Sequence, residues 1–133
     1  YHVFEMYKGF QNATYLPMDI QCDSMQVRGD NHARDGRKIP LLSTSAAKTE
    51  DGSIIISLAN VDVDNDQNVQ INIDATTAKS VTGRMLTCKS INDFNDFEHP
   101  NVVAPVDFKN AKLKKNVLTV KVPAKSIVVL NVK

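Results

Sequence analysis

Tryptophan is absent from the 133 residues, and only three tyrosines and five phenylalanines supply aromatic rings. A surface that stacks sugar rings normally offers aromatic faces, because they give contact area at low entropic cost. Here the aromatics gather in residues 1–15 and 94–108. That composition favours a supporting domain over an independent sugar-binding module. Cysteine is nearly absent as well. Cys22 and Cys88 lie far apart, without the close-paired spacing of zinc or thioredoxin-type sites. Buried free thiols are the expectation, and a disulfide between them stays open in an oxidising compartment. Neither cofactor nor metal is expected.

Net charge is also small, at +1, with acidic and basic residues interspersed. This gives no electrostatic footprint for nucleic acid or an anionic membrane, so neither is an expected partner. No apolar run approaches the roughly 20 residues needed to cross a bilayer, and nothing resembles a signal peptide. The chain opens at Tyr1 inside a helix-like stretch, as a fragment excised from a longer protein would. Localisation is left open, with a bacterial periplasmic or extracellular place preferred to a cytoplasmic one.

What is present is mostly strand. Residues 1–8 place Val3, Phe4 and Tyr7 on one helical face, and Gly9 suits a left-handed helix end. This face is expected to rest, with Phe10, on the rest of the domain, leaving Tyr1 and Met6 pointing elsewhere. Residues 39–48, the turn Asp51-Gly52 and residues 53–59 have the shape of a β-hairpin. After a polar loop over 62–68, Val69, Ile71 and Ile73 alternate with Gln70, Asn72 and Asp74, the period of a half-buried strand. In 81–88, Gly83 and the adjacent pair Met85-Leu86 break alternation, as a bulge or a strand buried on both faces would. Leu118, Val120 and Val122 alternate again, and the run 127–130 is apolar on both sides, as in a central strand. Seven or eight such strands with one terminal helix indicate an all-β, antiparallel β-sandwich, jelly-roll-like. The polar segment 23–37 reads as an exposed loop.

Several short patterns invite functional readings, each set against a blander one. Asp62, Asp64 and Asp66 alternate like the first calcium ligands of an EF-hand. Yet Gln67 stands where that loop needs glycine, and the twelfth position is not glutamate, so a solvated acidic loop is preferred. Arg28-Gly29-Asp30 matches an adhesion tripeptide, which arises easily by chance in a polar loop, and Asn12-Ala13-Thr14 a glycosylation acceptor, which matters only in a secretory pathway that the sequence does not establish. Glu5, Glu50 and Glu98 fall in a helix, a turn and a loop with nothing to show convergence, and His2, His32 and His99 share no ligand spacing.

Three stretches together resemble the C-terminal portion of family 51 glycoside hydrolases, the α-L-arabinofuranosidases. They are YHVFEMYK at 1–8 with Gln11, ISLANVD at 56–62, and a long third stretch. That third stretch runs from VTGRMLT at 81–87 through NDFEHPNVV at 95–103 to PAKSIVVL at 123–130. Ala59, His99 and the segment 23–37 depart from the family pattern. The resemblance implies that residues 1–12 are a helix closing a catalytic (β/α)8 barrel and that 13–133 form the C-terminal sandwich. It implies a parent enzyme that releases terminal non-reducing α-L-arabinofuranosyl groups from arabinan, arabinoxylan or related plant arabinosides with retention. The two catalytic glutamates, with carboxyl groups about 5–5.5 Å apart, belong to the barrel upstream of Tyr1. No catalytic residue is therefore expected in this chain, and the parent can be a homo-oligomer. The expected barrel-facing residues are Tyr1, Phe4, Met6, Phe94 and Phe97. The loop 94–103 either reaches the barrel's cleft or packs as an Ω-type loop held by Phe94 and Phe97, the second being preferred. The rival reading is a free-standing carbohydrate-binding or adhesion sandwich.

Overall fold

The computed structural model describes residues 1–27, 36–74 and 78–133. A short helix α1 (His2–Tyr7) runs into a 3-10 turn at Lys8–Phe10, and eleven strands follow among the described residues. Six of them form one antiparallel sheet. In order across it these are β1 (Thr14–Leu16), β4 (Leu42–Lys48), β5 (Ile54–Asn60), β11 (Ser126–Val132), β7 (Val81–Thr87) and β8 (Val106–Asp107). The facing sheet has three strands, β6 (Gln67–Asn72), β10 (Val117–Val122) and β9 (Ala111–Lys114), in that order. The expected all-β antiparallel sandwich is the observed one.

The hairpin turn sets the pairing of β4 with β5. Gly52 takes φ +84°, which side chains resist. The Asp51 carboxylate accepts from the Thr49 hydroxyl at 2.5 Å and from the Ser53 amide at 3.1 Å. Register then holds from Lys48 opposite Ile54 to Leu42 opposite Asn60. On its other edge β5 pairs with β11, which itself pairs with β7, so the last strand is central, as its doubly apolar run requires. The β7 ladder is unbroken, which removes the bulge alternative. Gly83 is there for closeness: a Cβ would sit 2.7 Å from the Leu130 Cδ2.

Alternation sends Ile54, Ile56, Leu58, Leu118, Val120, Val122, Val128 and Leu130 into the core between the sheets, with Ile73 and Phe108. Val69 and Ile71, expected to be buried, are only half-buried because β6 is an edge strand. A second cluster lies on the outer face of the large sheet, where Met6 packs with Ala47, Ile55 and Val129. Met85 serves the first cluster and Leu86 the second, so β7 is apolar on both faces.

Three further expectations need correction. Part of the segment 23–37 is a ribbon: β2 (Ser24–Val27) pairs with β3 (Arg37–Pro40), Met25 opposite Ile39. The expected continuous strand 39–48 therefore divides at Leu41, whose N–H bonds the Asp23 carbonyl. Gly9 is not a left-handed cap either. It lies so close to Ile55 that a Cβ would meet that side chain at 2.6 Å, and the left-handed residue is Asn12, φ +62°. Arg28, Gly29, Asp30 and His32 lie outside the described residues.

Candidate functional site

The carboxylates considered for catalysis do not converge. Glu5 sits on α1 and bonds Arg84 of β7 at 3.1 Å, with the His2 Nδ1 at 3.6 Å. The hydrogen bond from Arg84 holds the Glu5 carboxyl below its usual range. Glu50 lies in the β4–β5 turn, at the end of the sheet marked by Ile54, Val132 and Val81. The loop carrying Glu98 leaves from Thr87, at the opposite end, a strand length of roughly 20 Å away. Among the described residues no three His, Cys, Asp or Glu side chains gather in a way that could hold a metal ion. Cys22 and Cys88 are free thiols.

The acidic triplet has a structural task. Asp62 accepts from the backbone N–H groups of Asp64 and Asn65, at 2.9 and 3.1 Å, and Asn65 adds its side chain. These donors, the Asp64 amide first, lower its pKa. Asp66 takes the Ala124 amide at 3.0 Å and Lys121 at 3.2 Å. Between them Asn60, 3% exposed, donates to the carbonyls of Asn65 and Pro123 and accepts from the Asp62 amide. The result is a knot tying the β5–β6 loop to the β10–β11 connection. Sequence reasoning gave Asn60 no role, although a lone amide ending an apolar run was the signal.

What the surface does present is apolar and aromatic. Tyr1 is 91% exposed and Phe4 84%, while Met6 is only 6% exposed. This corrects the expected phase of the helix. The face on the sheet is built from Met6, Tyr7 and Phe10, three and four residues apart, with Tyr7 and Phe10 stacked at 5.4 Å. Met6 is thus an anchor inside this domain and cannot face a neighbour, whereas Tyr1 and Phe4 project from it.

A second exposed group sits on the loop between β7 and β8. Ile91, Phe94 and Phe97 are open to solvent, so the phenylalanines do not hold the loop, contrary to expectation. Polar groups do. The Asn95 side chain donates to the Val103 carbonyl at 2.8 Å and accepts its N–H at 2.7 Å, imitating a strand pair. Asp93 caps the Lys89 and Ser90 amides, each at 2.9 Å, and Asp96 caps His99. Backbone order is thus supplied internally, and the rings are left free.

Among the described residues the sandwich gathers no metal-ligating cluster and no paired carboxylates, and it holds aromatic side chains outward, which puts it in the class of accessory rather than catalytic sandwiches. The chain belongs to the family described as the alpha-L-arabinofuranosidase C-terminal domain, whose model matches residues 1–126. It is 48% identical over 130 residues to an intracellular exo-alpha-L-arabinofuranosidase of Bacteroides ovatus, covering 98% of this chain and 24% of that protein. The crystal structure of the GH51 arabinofuranosidase from Xanthomonas axonopodis pv. citri is similar over the whole chain, with TM-score 0.89 and 34% identity, and 26% of that protein is covered. A thermostable GH51 alpha-L-arabinofuranosidase from Thermotoga petrophila RKU-1 shares the fold over 75% of this chain and 21% of its own, with TM-score 0.64 at 23% identity. The chain therefore spans about a quarter of the length of these relatives.

Proposed function

We propose that this chain is the docking sandwich of a larger, retaining α-L-arabinofuranosidase, in which it braces a catalytic (β/α)8 barrel supplied by the same polypeptide. Residues 1–12 are the link from the barrel, and 13–133 are the brace. Tyr1 and Phe4, together with Phe94 and Phe97, are the contacts. The observation that carries this reading is the helix: Met6 ties it to the sandwich while Tyr1 and Phe4 are left uncovered. A six-residue helix has little stability of its own, and an uncovered aromatic pair on it is explained by a second body. The whole enzyme acts on terminal arabinofuranosyl groups of arabinan, arabinoxylan or related arabinosides through two barrel carboxylates. The sandwich contributes through stability and positioning.

The test is twofold. The purified chain turns over no aryl α-L-arabinofuranoside, whereas the longer protein does; turnover by the chain that vanishes on mutating Glu5, Glu50 or Glu98 overturns the reading. In the longer protein, Phe4→Ala lowers the unfolding temperature more than it does in the chain alone. The exposed Phe94 and Phe97 also fit a free-standing sugar-binding sandwich. Saturable binding of arabino-oligosaccharides by the isolated chain, lost in Phe97→Ala, favours that alternative.

A further inference from the structure

A net charge of +1 conceals a division along the chain. Residues 108–133 hold seven of the sixteen basic residues and none of the fifteen acidic ones, so the two signs are not interspersed over this stretch. All seven are lysines. Four of them, Lys109, Lys112, Lys114 and Lys115, follow β9 and its two ends, and all four are exposed. Among the described residues none of the four is ion-paired. Lys121, by contrast, is held by Asp66 at 3.2 Å, and Lys125 by the Val63 carbonyl at 3.1 Å.

The sheet register turns that stretch into a surface. Leu118, Val120 and Val122 point into the core, so Thr119 and Lys121 between them point out. Thr119 stands between Lys112 of β9 and Gln70 of β6, and Lys121 beside Asn68. Lys114, Val117 and Asn72 make the next row. The outer face of the small sheet is therefore a field of lysine, threonine and amide side chains, with Lys112 and Lys114 roughly 7 Å apart along one edge. None of its three strands carries an acidic residue. Lysine also keeps an edge strand from pairing with other sheets. That task needs only a charge or two on β9 and leaves the lack of acids from 108 to 133 unexplained. The face is turned away from α1 as well, because Met6 anchors that helix on the outer face of the large sheet, across the sandwich.

We propose that the outer face of the small sheet is a binding site for uronate-bearing glycans, held through the carboxylates of the sugar chain. The choice of a glycan rests on the reading of the chain as part of a glycan-degrading enzyme; the choice of an acidic one rests on the lysines. Lys112 and Lys114, with Lys109 and Lys115 beyond them, meet the carboxylates, and Thr119 and Gln70 hydrogen-bond the sugar hydroxyls between. A phosphate polymer fits less well. Phosphate recognition favours the arginine fork, and single-stranded nucleic acid stacks its bases on aromatic rings, whereas these three strands carry neither residue type. A neutral glycan leaves the lysines unmatched. Docking of a barrel through Tyr1 and Phe4, which project from α1, leaves this face open to solvent.

Biolayer interferometry on immobilised polygalacturonate, with the longer protein and with the chain, tests this. Both bind saturably, with an affinity that falls as salt rises. Lys112→Gln combined with Lys114→Gln weakens binding about 10-fold or more and flattens the salt dependence, a lysine beside an anionic surface contributing about fivefold. Its thermal midpoint stays at that of the parent sequence. Lys38→Gln combined with Lys89→Gln removes the same charge elsewhere and leaves the affinity unchanged. Equal affinities of the two double variants overturn the proposal, because net charge or another surface then accounts for the binding. Single-stranded DNA or neutral linear arabinan bound as tightly as polygalacturonate overturns it too. So does binding by the chain that the longer protein lacks, which shows the face covered in the enzyme. Turnover of an aryl α-L-arabinofuranoside by the longer protein separates the two readings. Turnover without polygalacturonate binding sinks the glycan site alone, and absence of turnover sinks the enzyme reading.

Discussion

Asn60 and Gly83 show how single residues set the limits of this core. Asn60 is buried with its amide and carbonyl both engaged. Asn60→Ala strands those partners and is expected to cost about 1–3 kcal/mol in chemical denaturation. Gly83 faces Leu130 and Phe108 with no room for a side chain. Gly83→Val overpacks the site, at an expected cost of about 1–3 kcal/mol. Asp51 supplies a pH signature. The Thr49 hydroxyl above all, then the Ser53 amide, hold its carboxyl down to about 2. A depressed carboxyl stabilises the fold above its unfolded pKa, roughly 3.9, and loses that contribution as pH falls through the folded value. The thermal midpoint of Asp51→Ala should thus fall below that of the parent sequence at pH 7, and the gap should close between roughly pH 4 and pH 2. A gap that is constant across that window would exclude the ionised turn. Each of these residues was marked in the sequence by its position, Asn60 ending an apolar run, Gly83 breaking an alternating one and Asp51 opening the turn Asp51-Gly52, but the partners of Asn60 and Gly83 were not, because they lie across the sheet, up to 63 residues away.

At the scale of elements, legibility followed periodicity. β5, β6, β10 and β11 alternate or run apolar over six or seven residues, and each was readable with its core face. β2 and β3 were not, because four-residue polar strands gain order from pairing with each other rather than from a buried stripe. The helix was found but turned by a residue. Val3, Phe4 and Tyr7 satisfy a helical face as well as Met6, Tyr7 and Phe10 do, and only the position of Ile55 and Val129 beneath decides between them. Met6→Ala tests that anchor. It removes the one buried side chain of α1, so exchange of amides 3–8 should quicken markedly while that of β5 and β11 holds; unchanged protection would show that the helix is held by other contacts. In the β7–β8 loop the sequence suggested aromatic pinning, and the structure uses asparagine and aspartate instead. Asn95→Ala should loosen that loop without lowering the global midpoint by more than a degree or two, since no core contact is lost.

For the whole molecule the account makes the sandwich a brace whose aromatic surface is completed elsewhere. The family itself was legible in the order and spacing of three stretches. Which aromatic rings stand outward was half legible, because exposure of a ring is a property of packing and not of composition. Removing those rings in the longer protein should cost stability and leave the barrel's chemistry in place, which separates bracing from catalysis. Hydroxyl-radical footprinting of the chain and of the longer protein, quantified at Tyr1, Phe4, Phe94 and Phe97 with Tyr15 as an exposed reference, measures the covering directly. The account predicts that labelling of those four falls several-fold in the longer protein while Tyr15 keeps its reactivity. Equal labelling of all five rings in both proteins would contradict it.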